Sequence, residues 1–279
     1  MASFRIPFAP WLGAGWNSAF RDANLTDAQF KNVNPGPGGG PGAVFPWEGN
    51  LYQIVRNRTG GALAEGDLVK LYFNAATRVG TASAGTLDGI TTTQNFAAGD
   101  IIDGSVPTYM FIRAGTQVGQ RRRVRKYVAG ANSIVYIALY DRSLNQASTA
   151  TAEKFTATAD ATTQYALVMP WEMTKSAAVT DYITGVALAT VADTNWTIIE
   201  VAGFSLGTFA GAVDALTAGG TVVPAAVAGQ GKGPTTAAET IAEARLSFGM
   251  ALDAYSGAAA LRHFIMKSPL GLTYNPSTS

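Results

Sequence analysis

From Asn50 onward, short apolar and β-branched runs alternate with turns that carry glycine, aspartate or asparagine. Leu51 to Arg56, Asp67 to Asn74, Val106 to Ala114, Arg123 to Val128 and Ser133 to Tyr140 have this character and predict strands. Gln164 to Met169, Tyr182 to Thr190, Trp196 to Val201, Thr221 to Val227, Ala244 to Leu252 and Leu261 to Met266 continue the series. Short strands broken by turns at roughly every dozen residues predict an all-β fold of sandwich- or barrel-like modules. At most one or two short helices compete. Thr236 to Leu246 opens on a capping-box pattern, Thr236-Ala-Ala-Glu239. A short turn is expected at Thr208 to Leu216.

Residues 1–48 read differently. Phe4, Phe8, Trp11, Trp16, Phe20, Phe30, Phe45 and Trp47 are separated by prolines, glycines and asparagines. Only Asn24 to Lys31 predicts a short helix, with Asn24, Thr26 or Asp27 available to cap it. The proline- and glycine-rich run from Asn34 to Gly42 is unsuited to helix or central strand. We read the segment as an extended aromatic arm, laid either along its own domain or across a neighbouring subunit. Phe4, Phe8, Trp11, Trp16, Phe20, Phe45 and Trp47 are its candidate partner-binding residues.

Two internal echoes stand out. Leu63-Ala-Glu-Gly66-Asp67-Leu-Val69 returns as Phe96-Ala-Ala-Gly99-Asp100-Ile-Ile102, and more loosely as Leu216-Thr-Ala-Gly219-Gly-Thr-Val222. Each predicts a tight turn with glycine at positive φ, leading into a buried strand. Gly185-Val-Ala-Leu188 likewise returns as Gly249-Met-Ala-Leu252, each followed by a turn and a further strand. Repeated strand–turn–strand units imply related β modules in one chain. With Arg142 to Thr163 as a polar linker, the expected division is an arm at 1–48, a first module at 49–163 and a second at 164–279.

Composition narrows the function classes. Charged residues make up 14% of the chain, against roughly 25% in ordinary soluble domains. A subunit so poor in charge hides surface against others. The net charge of +1 supplies no field toward nucleic acid or membrane. The absence of cysteine removes disulfides, thiolate metal sites and cysteine nucleophiles. No run reaches the ~18 apolar residues of a membrane span. Met1 to Pro10 lacks the pattern of a signal peptide, so synthesis in the cytoplasm is expected.

No catalytic constellation emerges. The single histidine, His263, falls in a predicted strand with no nucleophile elbow to serve, and reads as structural or surface. Gly229-Gln-Gly-Lys-Gly-Pro-Thr235 has Gly233 where a phosphate loop needs Ser or Thr, and reads as a plain loop. Neither a metal site nor a cofactor is expected. The one charge run is Arg121, Arg122, Arg123, Arg125 and Lys126, five cations in six residues. It reads as a basic edge pairing with acidic groups on a partner, as a solvated hairpin, or as a phosphate-contacting patch; we favour the first.

Taken together, Gly66-Asp-Leu-Val69, Tyr182-Ile-Thr-Gly185-Val-Ala-Leu188 and Trp196-Thr-Ile-Ile-Glu-Val-Ala-Gly203 resemble the capsid decoration (cement) proteins of tailed bacteriophages. The resemblance covers about a third of the chain. It implies a non-enzymatic structural protein of the virion, β-rich and trimeric. Such a subunit binds the outer surface of the head and clamps neighbouring major capsid proteins. Its partners would be the major capsid protein and itself, without nucleic acid or membrane. The alternative is another virion component, such as a head fibre, tail tube or receptor-binding protein.

Overall fold

The computed structural model describes residues 24–26, 28–29, 41–47, 49–92, 108–128, 133–137, 155–210, 214–235 and 241–267. Among these residues the chain is predominantly β, as the alternating pattern predicts, with only short helices. It divides into two units, residues 1–72 with 171–279, and residues 73–170.

The larger unit is organised on one strand of 14 residues, β12 (Trp196–Phe209). Its first half closes a ring with β2 (Asn50–Asn57), β10 (Glu172–Lys175), β3 (Leu68–Leu71) and β11 (Gly185–Ala187). Its second half closes another ring with β14 (Gly231–Lys232), β13 (Thr221–Pro224), β15 (Gly249–Ala251) and β16 (Ala260–Met266). Each ring has one parallel pair, β2 with β10 and β12 with β14. A bulge between Glu200 and Ala202, then Gly203 at φ +113°, carries the strand from one ring to the other.

The two rings repeat one plan, and the echoes mark it. Gly185 pairs with Val69 in the first ring, and Gly249 with Val222 in the second. Leu63 bridges Val191 in the first, and Leu216 bridges Tyr255 in the second. Gly66 and Gly219, the turn glycines of the echo, have φ of +80° and +75°. Alternation sends every second side chain inward. Val55, Leu63, Val69, Val191 and Ile199 fill the first ring. Phe209, Val222, Phe248, Phe264 and Met266 fill the second, where the Phe264 ring stands edge-on to Phe209 and Phe248. The echo at Phe96 to Ile102 lies outside the described residues.

Two pieces of the expected arm join this unit. Val44–Trp47 forms β1, antiparallel to β2. Leu25 pairs its backbone with Trp196 in both directions, at 2.9 and 2.7 Å. Thr26 and Gln29 exchange side-chain bonds to each other's amides, so Thr26 caps the one described turn of that helix.

The smaller unit is a closed antiparallel barrel in the order β4 (Val79–Thr86), β5 (Gly89–Thr92), β8 (Ser133–Ile137), β7 (Arg121–Val128), β6 (Thr108–Ala114), β9 (Gln164–Val168), with β9 pairing back to β4. Ile90, Met110, Ile112, Val124, Tyr165 and Leu167 pack its interior. The short helix α1 (Ala75–Arg78), capped by Asn74, leads into β4.

This partition differs from consecutive modules at 49–163 and 164–279. β2 and β3 belong with β10 to β16, because their hydrogen-bond partners lie more than a hundred residues away. The barrel is an insertion between β3 and β10, where the Tyr72 amide donates to the Glu172 carbonyl at 2.8 Å. In the second ring the equivalent connection, from β13 to β14, is only residues 225–230. The expected turn at Thr208 to Leu216 also gives way, since β12 runs on to Phe209. The expected helix at Thr236 to Leu246 is described from Ile241 as α2 (Ile241–Leu246).

Candidate interaction surface

Of the arm aromatics, Phe4, Phe8, Trp11, Trp16 and Phe20 lie outside the described residues. Phe45 is taken up by its own chain: it is 5% exposed and stacks on Tyr52, ring centroids 5.7 Å apart. Phe45 is therefore a core residue, because β1 is an edge strand whose ring seals the outer side of β2. Trp47 pairs with Asn50 at the turn between β1 and β2.

The arginine run forms β7, flanked on both sides by β6 and β8. It is not a free basic edge, because barrel closure pairs its backbone on both sides. Arg121 is exposed, with its guanidinium over the Tyr109 ring at 5.1 Å. Arg122 lies half-buried over Phe155 at 5.7 Å and donates to Gln120 Oε1 at 2.9 Å. Val124 points into the barrel core. Arg123 pairs with Tyr109 and Lys126 with Tyr136, and Arg125 falls in the register shift between Val124 and Lys126. Alternation along β7 puts the neighbouring Arg121 and Arg122 on opposite faces.

A surface that the sequence pattern did not single out lies on the second ring. The inward residues of β12 here are Ser205, Gly207 and Phe209; the outward ones are Phe204, Leu206 and Thr208. They pair with Ile265, His263 and Leu261 of β16, and Ile265 pairs in turn with Met250 of β15. The result is an uncharged apolar sheet face with His263 among aliphatic and aromatic neighbours. Phe204 is 64% exposed, Leu261 40% and Met250 38%. At Ser205 and Gly207 the inner side of β12 is kept small to admit the Phe264 ring, which Phe209 then meets edge-on. A Cβ on Gly207 would come within 2.9 Å of the Phe264 ring.

The first ring shows the same face closed. Ala187 pairs with Ile199, which pairs in turn with Gln53, as Ala251 pairs with Phe264, which pairs in turn with Ser205 in the second ring. The outward row Tyr52, Glu200, Val186, Leu68 thus corresponds to Phe204, Ile265, Met250, Thr221. Every member of the first row is at most 5% exposed. Leu68 and Val186 pack into the core of the second ring with Phe209 and Phe264, and Phe45 stacks on Tyr52; nearby, Trp171 stacks on Trp196 at 5.0 Å.

Enclosure leaves one carboxyl in apolar surroundings. Glu200 is 4% exposed, and its Oε1 has no hydrogen-bond partner among the described residues. Burial pushes it up to about 8, against a smaller lowering influence from the Ser205 hydroxyl. Other buried charges are paired: Asp67 with Lys175 at 2.7 Å and Asp214 with Lys232 at 2.5 Å. No group of three or more His, Cys, Asp or Glu placed to hold a metal occurs among the described residues. No protein-family model, curated protein or solved structure matches the chain.

Proposed function

We propose that this chain is a non-enzymatic structural subunit of a virion, a decoration protein on the outer surface of a phage head. The observation that carries the reading is the open apolar face of β12, β16 and β15. A contiguous uncharged patch of this kind marks a protein contact. It sits on a rigid closed ring, which suits a clamp that must hold shape under load. The sequence segments that carry the resemblance support the same reading. Gly66 to Val69, Gly185 to Leu188 and Trp196 to Gly203 fall on β3, β11 and β12, three neighbouring strands of one ring. Many copies on one lattice turn a modest contact into firm attachment.

Co-sedimentation of the purified chain with empty heads of the phage that encodes it tests the reading. Saturable binding, visible as added density on the outer surface by electron microscopy, is expected. Heads that pellet without the chain overturn it.

A further inference from the structure

We infer that Lys232 and Asp214 condense to a side-chain amide, an internal crosslink that staples the second ring. The reaction happens once per chain and turns over no substrate. It goes beyond the structural role proposed above and does not depend on it.

The crosslink falls where the backbone holds the ring least. β12 and β14 form its parallel pair, and among the described residues they share one register pair, Phe209 with Gly231. The Ala210 amide donates to the Gly231 carbonyl at 2.8 Å, and the Gly233 amide to the Asp214 carbonyl at 3.1 Å. Lys232 therefore stands beside the chain that leaves β12. The sequence has no cysteine, so no disulfide can close this seam. An amide between lysine and aspartate can.

The groups that such a bond needs are assembled there. Lys232 is 7% exposed, and its Nζ meets Asp214 Oδ2 at 2.5 Å. Nζ also donates to Thr235 Oγ1 at 2.7 Å. That hydroxyl donates to Glu243 Oε1 at 2.7 Å, and the Thr235 amide donates to the same oxygen at 2.8 Å. Glu243 Oε1 itself lies 4.0 Å from Nζ. Thr235 and Glu243 thus form a proton relay leading away from the amine. Holding an amine against a carboxyl makes their condensation unimolecular, and a relay supplies the proton transfers it requires. The Nζ lone pair, freed by a proton passed to Glu243, adds to Asp214 Cγ. Of the three Nζ protons, one stays on the amide nitrogen. The other two leave with an Asp214 carboxyl oxygen as water, and Glu243 ends as it began. No oxidant or further reactant is consumed. A shielded site also protects the product from hydrolysis.

Two other ion pairs give the contrast. Lys70 meets Asp181 at 2.6 Å, and Lys175 meets Asp67 at 2.7 Å. Among the described residues neither lysine pairs with a second carboxylate, and both aspartates accept from backbone amides. Without a relay these pairs stay ionic.

The test is the intact mass of the purified full chain, followed by a protease digest. The chain is expected to be one water lighter than its sequence, with a branched peptide joining Lys232 to Asp214. The digest separates this from dehydration at an Asp-Gly pair such as Asp88-Gly89. A full sequence mass, or a water lost elsewhere, overturns the inference. Lys232→Arg keeps the ion pair and Glu243→Gln keeps an acceptor for Thr235. Both are expected to unfold cooperatively in urea and to carry the full sequence mass. A water loss that persists in Lys232→Arg overturns the inference, as does an undiminished crosslink in Glu243→Gln. Binding to heads is measured separately, so the decoration role stands or falls on that binding alone.

Discussion

Asn50 brackets the backbone of Phe204: its Oδ1 accepts from the Phe204 amide at 2.9 Å and its Nδ2 donates to the Phe204 carbonyl at 3.4 Å. One side chain thus does the work of a strand neighbour where β12 passes from β2 to β16. Replacing it leaves two backbone groups to water on an exposed stretch, so Asn50→Ala should cost only about 1 kcal/mol. Gly203→Ala should cost more, about 3 kcal/mol, since φ +113° is closed to other residues and the new Cβ would strike Asn50. Urea unfolding of both variants checks the order. An Asn50 variant as unstable as the Gly203 variant would show that the bracket matters more than the bend.

Glu200 gives stability a particular dependence on pH. Its folded value, about 8, lies above the value of 4.5 for an ordinary glutamate. Below pH 4.5 the carboxyl is protonated in both folded and unfolded chains, and its burial carries no ionisation penalty. As pH rises toward 8 the unfolded chain releases its proton while the folded one holds it, so stability is lost through that window. The loss is on the order of a few kcal/mol. Glu200→Gln should flatten this fall, matching wild type near pH 5 and exceeding it at pH 9 in urea midpoint. Parallel curves for the two proteins would remove Glu200 as the cause.

Two turn glycines separate strain from crowding. Gly66 and Gly60 share nearly the same φ, +80° and +78°. A Cβ on Gly66 would collide with Leu261 and reach within 2.9 Å of Thr208 Oγ1, whereas one on Gly60 meets nothing within 4 Å. Gly60→Ala should cost about 1 kcal/mol and Gly66→Ala about 2–4 kcal/mol. Thermal unfolding of the pair reads the difference, and equal losses would contradict the packing of Leu261 over the turn.

Truncations of the arm should divide sharply at Leu25. Removal of residues 1–23 spares every contact described for Leu25 and should leave the unfolding midpoint unchanged. Removal of residues 1–40 takes the buried Leu25 and its two hydrogen bonds to Trp196, and should cost about 2–4 kcal/mol. A folding assay on the two truncations distinguishes arm from fold.

Much of the β architecture is legible in the sequence, and the reasons for the gaps are physical. β2, β6, β9 and β16 announce themselves through alternating apolar and β-branched residues. β4 does not, because Val79-Gly-Thr-Ala-Ser-Ala-Gly-Thr86 is made of small residues that suit a crowded barrel wall as well as a loop. β10 is hidden by Glu172 and Lys175. The strand pattern of β12 breaks off at Val201, since Gly203 resembles a terminator. Beyond it, Phe204-Ser-Leu-Gly-Thr208 does alternate, but with its large residues outside and Ser205 and Gly207 inside. That inverted alternation is the sequence signal of the open face. The echoes correctly locate the repeated turns, yet the nesting of units is out of their reach. Nothing local in β2 reveals a parallel partner beyond residue 170.

The barrel enters and leaves the larger unit at one point, between Tyr72 and Glu172, where its twin connection in the second ring is a six-residue turn, residues 225–230. The first ring therefore has no topological need of the barrel. Exchanging residues 73–170 for a short turn should leave a self-sufficient clip, and other guest domains should be accepted at the same hinge. In that sense the connection is a socket, a place where the larger unit can exchange its inserted domain without redesigning its own sheet.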